Sequence, residues 1–145
     1  MKTRTFALVL GIGFLAAGIL GFVPGLVSPS GDPAGMGMEG MTHGRLFGLF
    51  AVNALHNLVH LAFGVWGVVV WRDFAASRLY AQVVAVAYAV LVVLGLIPAV
   101  NTLFGLVPLY GHNVWLHAVL AVAAGFFGFV PVATVESTRV TARRP

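Results

Sequence analysis

Four stretches of this chain, roughly residues 5–27, 46–71, 79–100 and 112–133, are long, apolar and nearly free of charge. A bilayer core takes about 20 such residues per helix, so each reads as a membrane span. Composition leaves little else: 60% of the 145 residues are hydrophobic and 8% are charged, where a soluble domain carries about 25% charged residues. A soluble domain of this size keeps too much surface exposed to absorb so apolar a chain. The expected fold class is all-α, one integral membrane four-helix bundle over residues 1–145, with the lipid bilayer as its surroundings.

The connections are "SPSGDPAGMGMEGMTHGR", a short charged turn "RDFAASR", and an apolar "NTLFGLVPLYG" that suits an interface. With the N-terminus inside, Lys2, Arg4, Arg72, Arg78, Arg139, Arg143 and Arg144 fall on one side and Arg45 alone on the other. This asymmetry predicts a multi-pass protein of the cytoplasmic membrane with both termini in the cytoplasm. Trp71, Tyr80, Tyr110 and Trp115 fall near the predicted span ends, where amphipathic rings settle. The basic residues form no stripe interleaved with aromatics, so the high pI of about 10.4 does not point to nucleic acid. A homo-oligomer and a membrane partner protein both stay open.

Residues 7–26, "ALVLGIGFLAAGILGFVPGL", resemble residues 81–100, "AQVVAVAYAVLVVLGLIPAV". At a constant offset Ala7 matches Ala81, Val9 matches Val83, Phe14 matches Tyr88, and Leu20, Gly21 and Pro24 match Leu94, Gly95 and Pro98. "HN" at 56–57 recurs at 112–113, each followed by a further His, at 60 and 117. The chain reads as two helical hairpins in the same orientation, duplicated and fused. A first span with an internal copy is expected to be retained; it is also too long for the apolar region of a signal peptide. Gly13, Ala17, Gly21 and Gly25, and likewise Ala81, Ala85 and Ala89, recur every four residues and are expected to pack helices closely.

Polar residues interrupt two of the spans. On span 2, Asn53, His56, Asn57, His60, Gly64 and Gly67 fall within an arc of about 100°. On span 4, Asn113, His117, Ala121, Ala124 and Gly128 fall within about 80°. A polar group facing lipid is costly, so both faces should turn inward and meet. Three readings of this His/Asn cluster stay open. The first is interhelical hydrogen bonding between imidazoles and amides. In the second, His56, His60 and His117 ligate a metal such as copper or zinc, or two of them a b-type haem. The third is a proton or small-solute path, which the lack of any mid-span carboxylate disfavours. Met36, Met38, Met41 and His43 add soft and borderline ligands of the kind that favour Cu(I). The identity of any cofactor is not legible.

No catalytic assembly stands out. The four acids, Asp32, Glu39, Asp73 and Glu136, all lie outside the span centres. HNLVH at 56–60 lacks the Glu that serves as general base in zinc proteases. With no cysteine, disulfides, thiolate metal sites and cysteine nucleophiles are excluded.

The motifs "LGFVPGL", "FAVNALHNLVHLAFGVWG" and "NVWLHAVLAVAAG" resemble a bacterial family of small four-span membrane proteins, domain of unknown function 4383, over about residues 5–130. The resemblance implies a membrane protein without an assigned activity; the chain itself reads as a structural or accessory membrane protein, the alternative being a His-ligated metal or haem protein. It carries over no catalytic residue. The matching polar positions are Asn53, His56, Asn57, His60, Asn113 and His117. Such proteins often have an acidic residue before the Asn at 113; here it is His112, which removes any role needing a carboxylate there.

Overall fold

The computed structural model describes residues 2–29 and 44–130, and four helices carry the fold within them. They are α1 (Lys2–Leu20), α2 (Ala54–Val70), α3 (Phe74–Leu96) and α4 (His112–Phe129). α1 packs chiefly on α2 and α3 on α4, and the α1–α3 contact is the largest between the two pairs.

Helix ends follow from local chemistry. Asn53 caps α2, its Oδ1 accepting from His56 N at 2.8 Å; Asp73 caps α3, accepting from Ala76 N at 2.6 Å. Such caps satisfy donors that the first helical turn leaves free. The carbonyls at the C-terminal ends of α2 and α4 are met by the N-terminal turns of α1 and α3. Arg4 Nε donates to Trp71 O at 3.2 Å and Ser77 Oγ to Val70 O at 3.0 Å. Arg78 Nε and Gln82 Nε2 donate to Gly128 O at 2.9 and 3.0 Å, and Thr3 Oγ1 to Phe127 O at 3.4 Å. These bonds gather Arg4 and Arg78 at the end of the helices away from Arg45.

The exterior of the helices is apolar, while Phe14, Tyr80, Val84 and Tyr88 form a core joined by many small and polar residues. The buried residues of α1 are Thr3, Ala7, Gly11, Phe14 and Gly18; those of α2 are His56, Asn57, Gly64 and Gly67; those of α4 are Asn113, His117, Ala124 and Gly128. Large apolar residues such as Val9, Ile12, Leu58, Val69, Val93, Val122 and Phe126 point outward. Burial of small and polar residues beneath an apolar exterior suits a lipid solvent, where close backbone approach replaces the hydrophobic drive. Gly11, Gly64 and Gly67 form the α1–α2 crossing. A Cβ on Gly64 would lie 2.7 Å from Leu15 N, and one on Gly11 2.8 Å from Val68 N.

Several expectations are corrected. The chain is mostly helical as expected, but β1 (Val27–Pro29), β2 (Gly44–Leu46) and β3 (Phe50–Val52) add a small antiparallel sheet in the order β1-β2-β3. Val27 pairs with Leu46, and Leu46 with Phe50. Residues 46–53, expected in span 2, are thus hairpin and cap. Phe47 and Gly48 take left-handed backbone at the turn, and Gly48 adopts this φ of 72° without steric cost. α2 is left with 17 residues, a rise of about 25 Å that sits at the short limit for a bilayer core. α1 stops at Leu20 rather than 27, ahead of Pro24 and a left-handed Gly25. Asp73 starts α3 at Phe74 instead of 79, and the helix ends at Leu96, before Pro98. α4 ends at Phe129, and residues 131–133 lie outside the described residues.

The packing stripe on α1 also differs from the expected one. Gly13 and Gly25 face open space, and Ala7, Gly11, Phe14 and Gly18 form the buried face, although Gly21 packs closely on Asn57 as expected; on α3, Ala81 and Ala85 are buried as expected and Ala89 is exposed. Tyr80 is fully buried rather than interfacial, with Trp66 set perpendicular to it at 5.2 Å.

Candidate functional site

The three asparagines act on backbone carbonyls rather than on imidazoles. Asn53, besides capping α2, donates from Nδ2 to Leu106 O at 2.8 Å. Asn57 Nδ2 donates to Gly21 O at 2.8 Å, just past the end of α1, and a Cβ on Gly21 would fall inside the Asn57 amide. Asn113 Nδ2 donates to Ala51 O at 2.8 Å and Pro108 O at 2.9 Å. All three side chains are buried. Each ties a non-helical segment to a helix start: the 97–111 connection to α2 and α4, the end of α1 to α2, and β3 to α4. The apolar connection "NTLFGLVPLYG" is therefore pinned down at this end of the helices, with Leu109 fully buried and Phe104 left 82% exposed.

The histidines do converge. The rings of His56 and His60, one turn apart on α2, have centroids 4.5 Å apart, and His117 of α4 lies 6.4 Å from His56. His60 Nδ1 lies 3.0 Å from the His56 carbonyl; an oxygen acceptor there requires the Nδ1–H tautomer and leaves Nε2 as an acceptor. The Nδ1 atoms of His56 and His117 are buried and make no hydrogen bond to protein. The Ala51 carbonyl, which accepts from Asn113, also lies within hydrogen-bonding reach of the His56 ring. His112, by contrast, is exposed and accepts from Trp115 Nε1 at 3.1 Å, apart from the cluster.

A pair of aromatic rings backs the histidines. Phe14 of α1 and Tyr88 of α3 stack with centroids 5.6 Å apart and planes 12° from parallel. His60 stands nearly perpendicular to Phe14 at 5.4 Å, and His117 perpendicular to Tyr88 at 5.0 Å. Sequence reasoning placed neither aromatic at the site. The available signal was the internal match of Phe14 to Tyr88.

Two cavities flank the cluster, and His56, His60 and His117 line both. One, of about 290 Å³, lies among α1, α2, α4 and the hairpin, between Ala17, Phe50 and Leu116. The other, of about 460 Å³, lies among α2, α3 and the 103–109 segment, between Phe63, Tyr88, Leu91 and Leu109. Nearly all their remaining lining is apolar. Among the described residues no group of three or more His, Asp or Glu is placed to hold a metal ion. Met36, Met38, Met41 and His43 lie outside the described residues.

Fold and site together define a class, a helical membrane protein: α1, α3 and α4 are each long and apolar enough to cross a membrane, and α2 is a shorter apolar helix. The chain belongs to a family described as Domain of unknown function (DUF4383), whose model matches residues 4–130. Comparison with curated proteins and with solved structures found no match.

Proposed function

We propose that this chain is a four-span structural or accessory protein of the cytoplasmic membrane, a four-helix bundle of two parallel hairpin repeats with a His/Asn cluster inside it. Its termini face the cytoplasm. The observation that carries this reading is the apolar exterior, with Asn53, His56, Asn57, Asn113 and His117 buried beneath it. Two further features support it. Lys2, Arg4, Arg72 and Arg78 belong to the end opposite Arg45, as the positive-inside rule requires of short flanks. The paired contacts Phe14–His60 and Tyr88–His117 are what a duplicated hairpin would repeat. The asparagines hold the non-spanning segments to the helices, and the histidines form the wall between the two cavities.

Reporter fusions test the topology. Fusions at Gly35 and Gly111 should read as extracytoplasmic, and fusions at Ala75 and the C-terminus as cytoplasmic. A cytoplasmic signal from Gly111 overturns the orientation or the number of spans. The alternative reading, a protein in which His56, His60 and His117 ligate copper, zinc or b-type haem, would show as bound metal or a Soret band in protein purified after expression with those supplied.

A further inference from the structure

We propose that the larger cavity binds a membrane-soluble quinone, its ring held by His56 and His117. This rests on the reading of the cluster as lying within the bilayer. The first observation is the pair of orphaned polar atoms. His56 and His117 are 6% and 3% exposed, both line the cavity, and the Nδ1 of each has no protein partner. Buried polar atoms are nearly always satisfied, so two of them beside the same cavities point to a ligand with a hydrogen-bonding head; the larger cavity is the one walled by Phe63 and Tyr88.

The cavity's chemistry narrows that head. Among the described residues lining it there is no Lys, Arg, Asp or Glu. A carboxylate or phosphate would enter without a counter-charge, which is costly at membrane depth. The head is therefore neutral. Phe63 and Tyr88 line the same space, and aromatic walls favour a planar ring. A quinone carbonyl accepts from an imidazole N–H; the hydroxyl of the corresponding quinol donates to an imidazole nitrogen in the other tautomer. Histidines 56 and 117, free at Nδ1, serve either form without a buried charge. The volume, about 460 Å³, falls in the range of about 300–1,000 Å³ common for small-molecule sites. Val59 and Val90 line the cavity and are themselves exposed on the outer surface of α2 and α3, which gives an isoprenoid tail an exit toward lipid.

The test is calorimetric titration of the full chain in lipid nanodiscs with a short-tailed benzoquinone, using a fatty alcohol and a fatty acid of similar length as comparisons. Saturable binding of the quinone alone is expected. His56→Leu and His117→Leu should each weaken it about tenfold, the worth of one hydrogen bond. Leu91→Trp, which fills the cavity from its wall without touching a histidine, should abolish it; Val122→Trp, on the outer face of α4, should leave it unchanged. No saturable quinone binding, equal binding of the fatty alcohol, or binding indifferent to Leu91→Trp overturns the proposal. If a histidine variant fails to fold, the Leu91→Trp and fatty-alcohol arms decide alone. Loss of the quinone site with the fusion topology intact overturns this inference and not the four-span reading.

Discussion

Phe14 and Tyr88 stack nearly parallel, with ring centroids 5.6 Å apart, joining the two helix pairs at the level of the histidines. Each ring also meets one histidine at right angles, so the pair holds His60 and His117 at fixed positions as well as closing the core. Tyr88→Phe keeps the stack and should leave stability unchanged. Phe14→Ala leaves a hole beside both Tyr88 and His60. The loss expected is at the lower end of the about 3–5 kcal/mol measured for such truncations in aqueous cores, because lipid tails remove part of the transfer contribution. Thermal unfolding of the detergent-solubilised variants measures both. Equal stability of Phe14→Ala and wild type would show that the stack does not join the pairs.

The α1–α2 crossing makes a sharper claim about single glycines. A Cβ on Gly64 would lie 2.7 Å from Leu15 N and 2.9 Å from Gly11 O. These are backbone atoms and cannot move aside by changing rotamer. Gly64→Val should force α1 and α2 apart and cost more than the about 1–3 kcal/mol usual for overpacking a core. Gly13→Ala, on the same hairpin but facing open space, should be neutral or slightly stabilising, since alanine is the better helix former. The monodisperse fraction on gel filtration, with melting temperature, separates the two. A tolerated Gly64→Val would mean that the helices are not in this close contact.

Much of this arrangement was legible in the chain, and the remainder failed for identifiable reasons. The 3.6-residue period alone places His56, Asn57, His60 and Gly64 on one face of α2, and His117 and Ala124 on one face of α4, because a polar group turned to lipid is costly. Residues 46–52 were lost to the same logic. "LFGLFAV" is as apolar as a span, and hydropathy cannot distinguish a short strand pair from the start of a helix; Gly48 was the one local sign of a turn. Asn53 was placed on the helical face, yet its amide does the work of a cap. The partners of the asparagine amides, Gly21, Ala51, Leu106 and Pro108 carbonyls, lie far along the chain or in irregular turns, which no periodicity reports. The Gly13 stripe failed because α1 has glycines at both 11 and 13, and spacing by four cannot say which of them meets α2.

Asparagine removal should be expensive, and unequally so. Asn113 Nδ2 serves two carbonyls, Ala51 O and Pro108 O, while Asn57 Nδ2 serves Gly21 O alone. Leaving a buried acceptor without its donor costs about 1–3 kcal/mol. Asn57→Ala should therefore lose about that much, and Asn113→Ala more, with the 97–111 connection and β3 both released from α4. Limited proteolysis between residues 97 and 111 should become faster in Asn113→Ala and not in Asn57→Ala. The reverse order of stabilities would mean that the two bonds of Asn113 do not both contribute.

His60 and His117 should respond to substitution with opposite signs. His60 Nδ1 donates to the His56 carbonyl, so His60→Gln, which retains an N–H donor, should be nearly silent. His60→Leu should lose about 0.6–2 kcal/mol, the range found for side-chain hydrogen bonds inside membranes. His117 Nδ1 is buried with no protein partner, and its ring touches the apolar walls of both cavities. Replacing it by leucine removes a buried polar atom that has already lost its hydration, and the volume is roughly kept. His117→Leu should therefore match or exceed the wild type in thermal stability when no ligand is present. If His117 were structural glue like the asparagines, the same change would destabilise the protein by an amount comparable to Asn57→Ala. Melting curves of the four variants, taken in one detergent and stripped of lipid-soluble ligands, decide the matter. A stabilised His117→Leu that responds more weakly than the wild type to an added quinone would mark His117 as a residue kept for what it binds rather than for what it holds together.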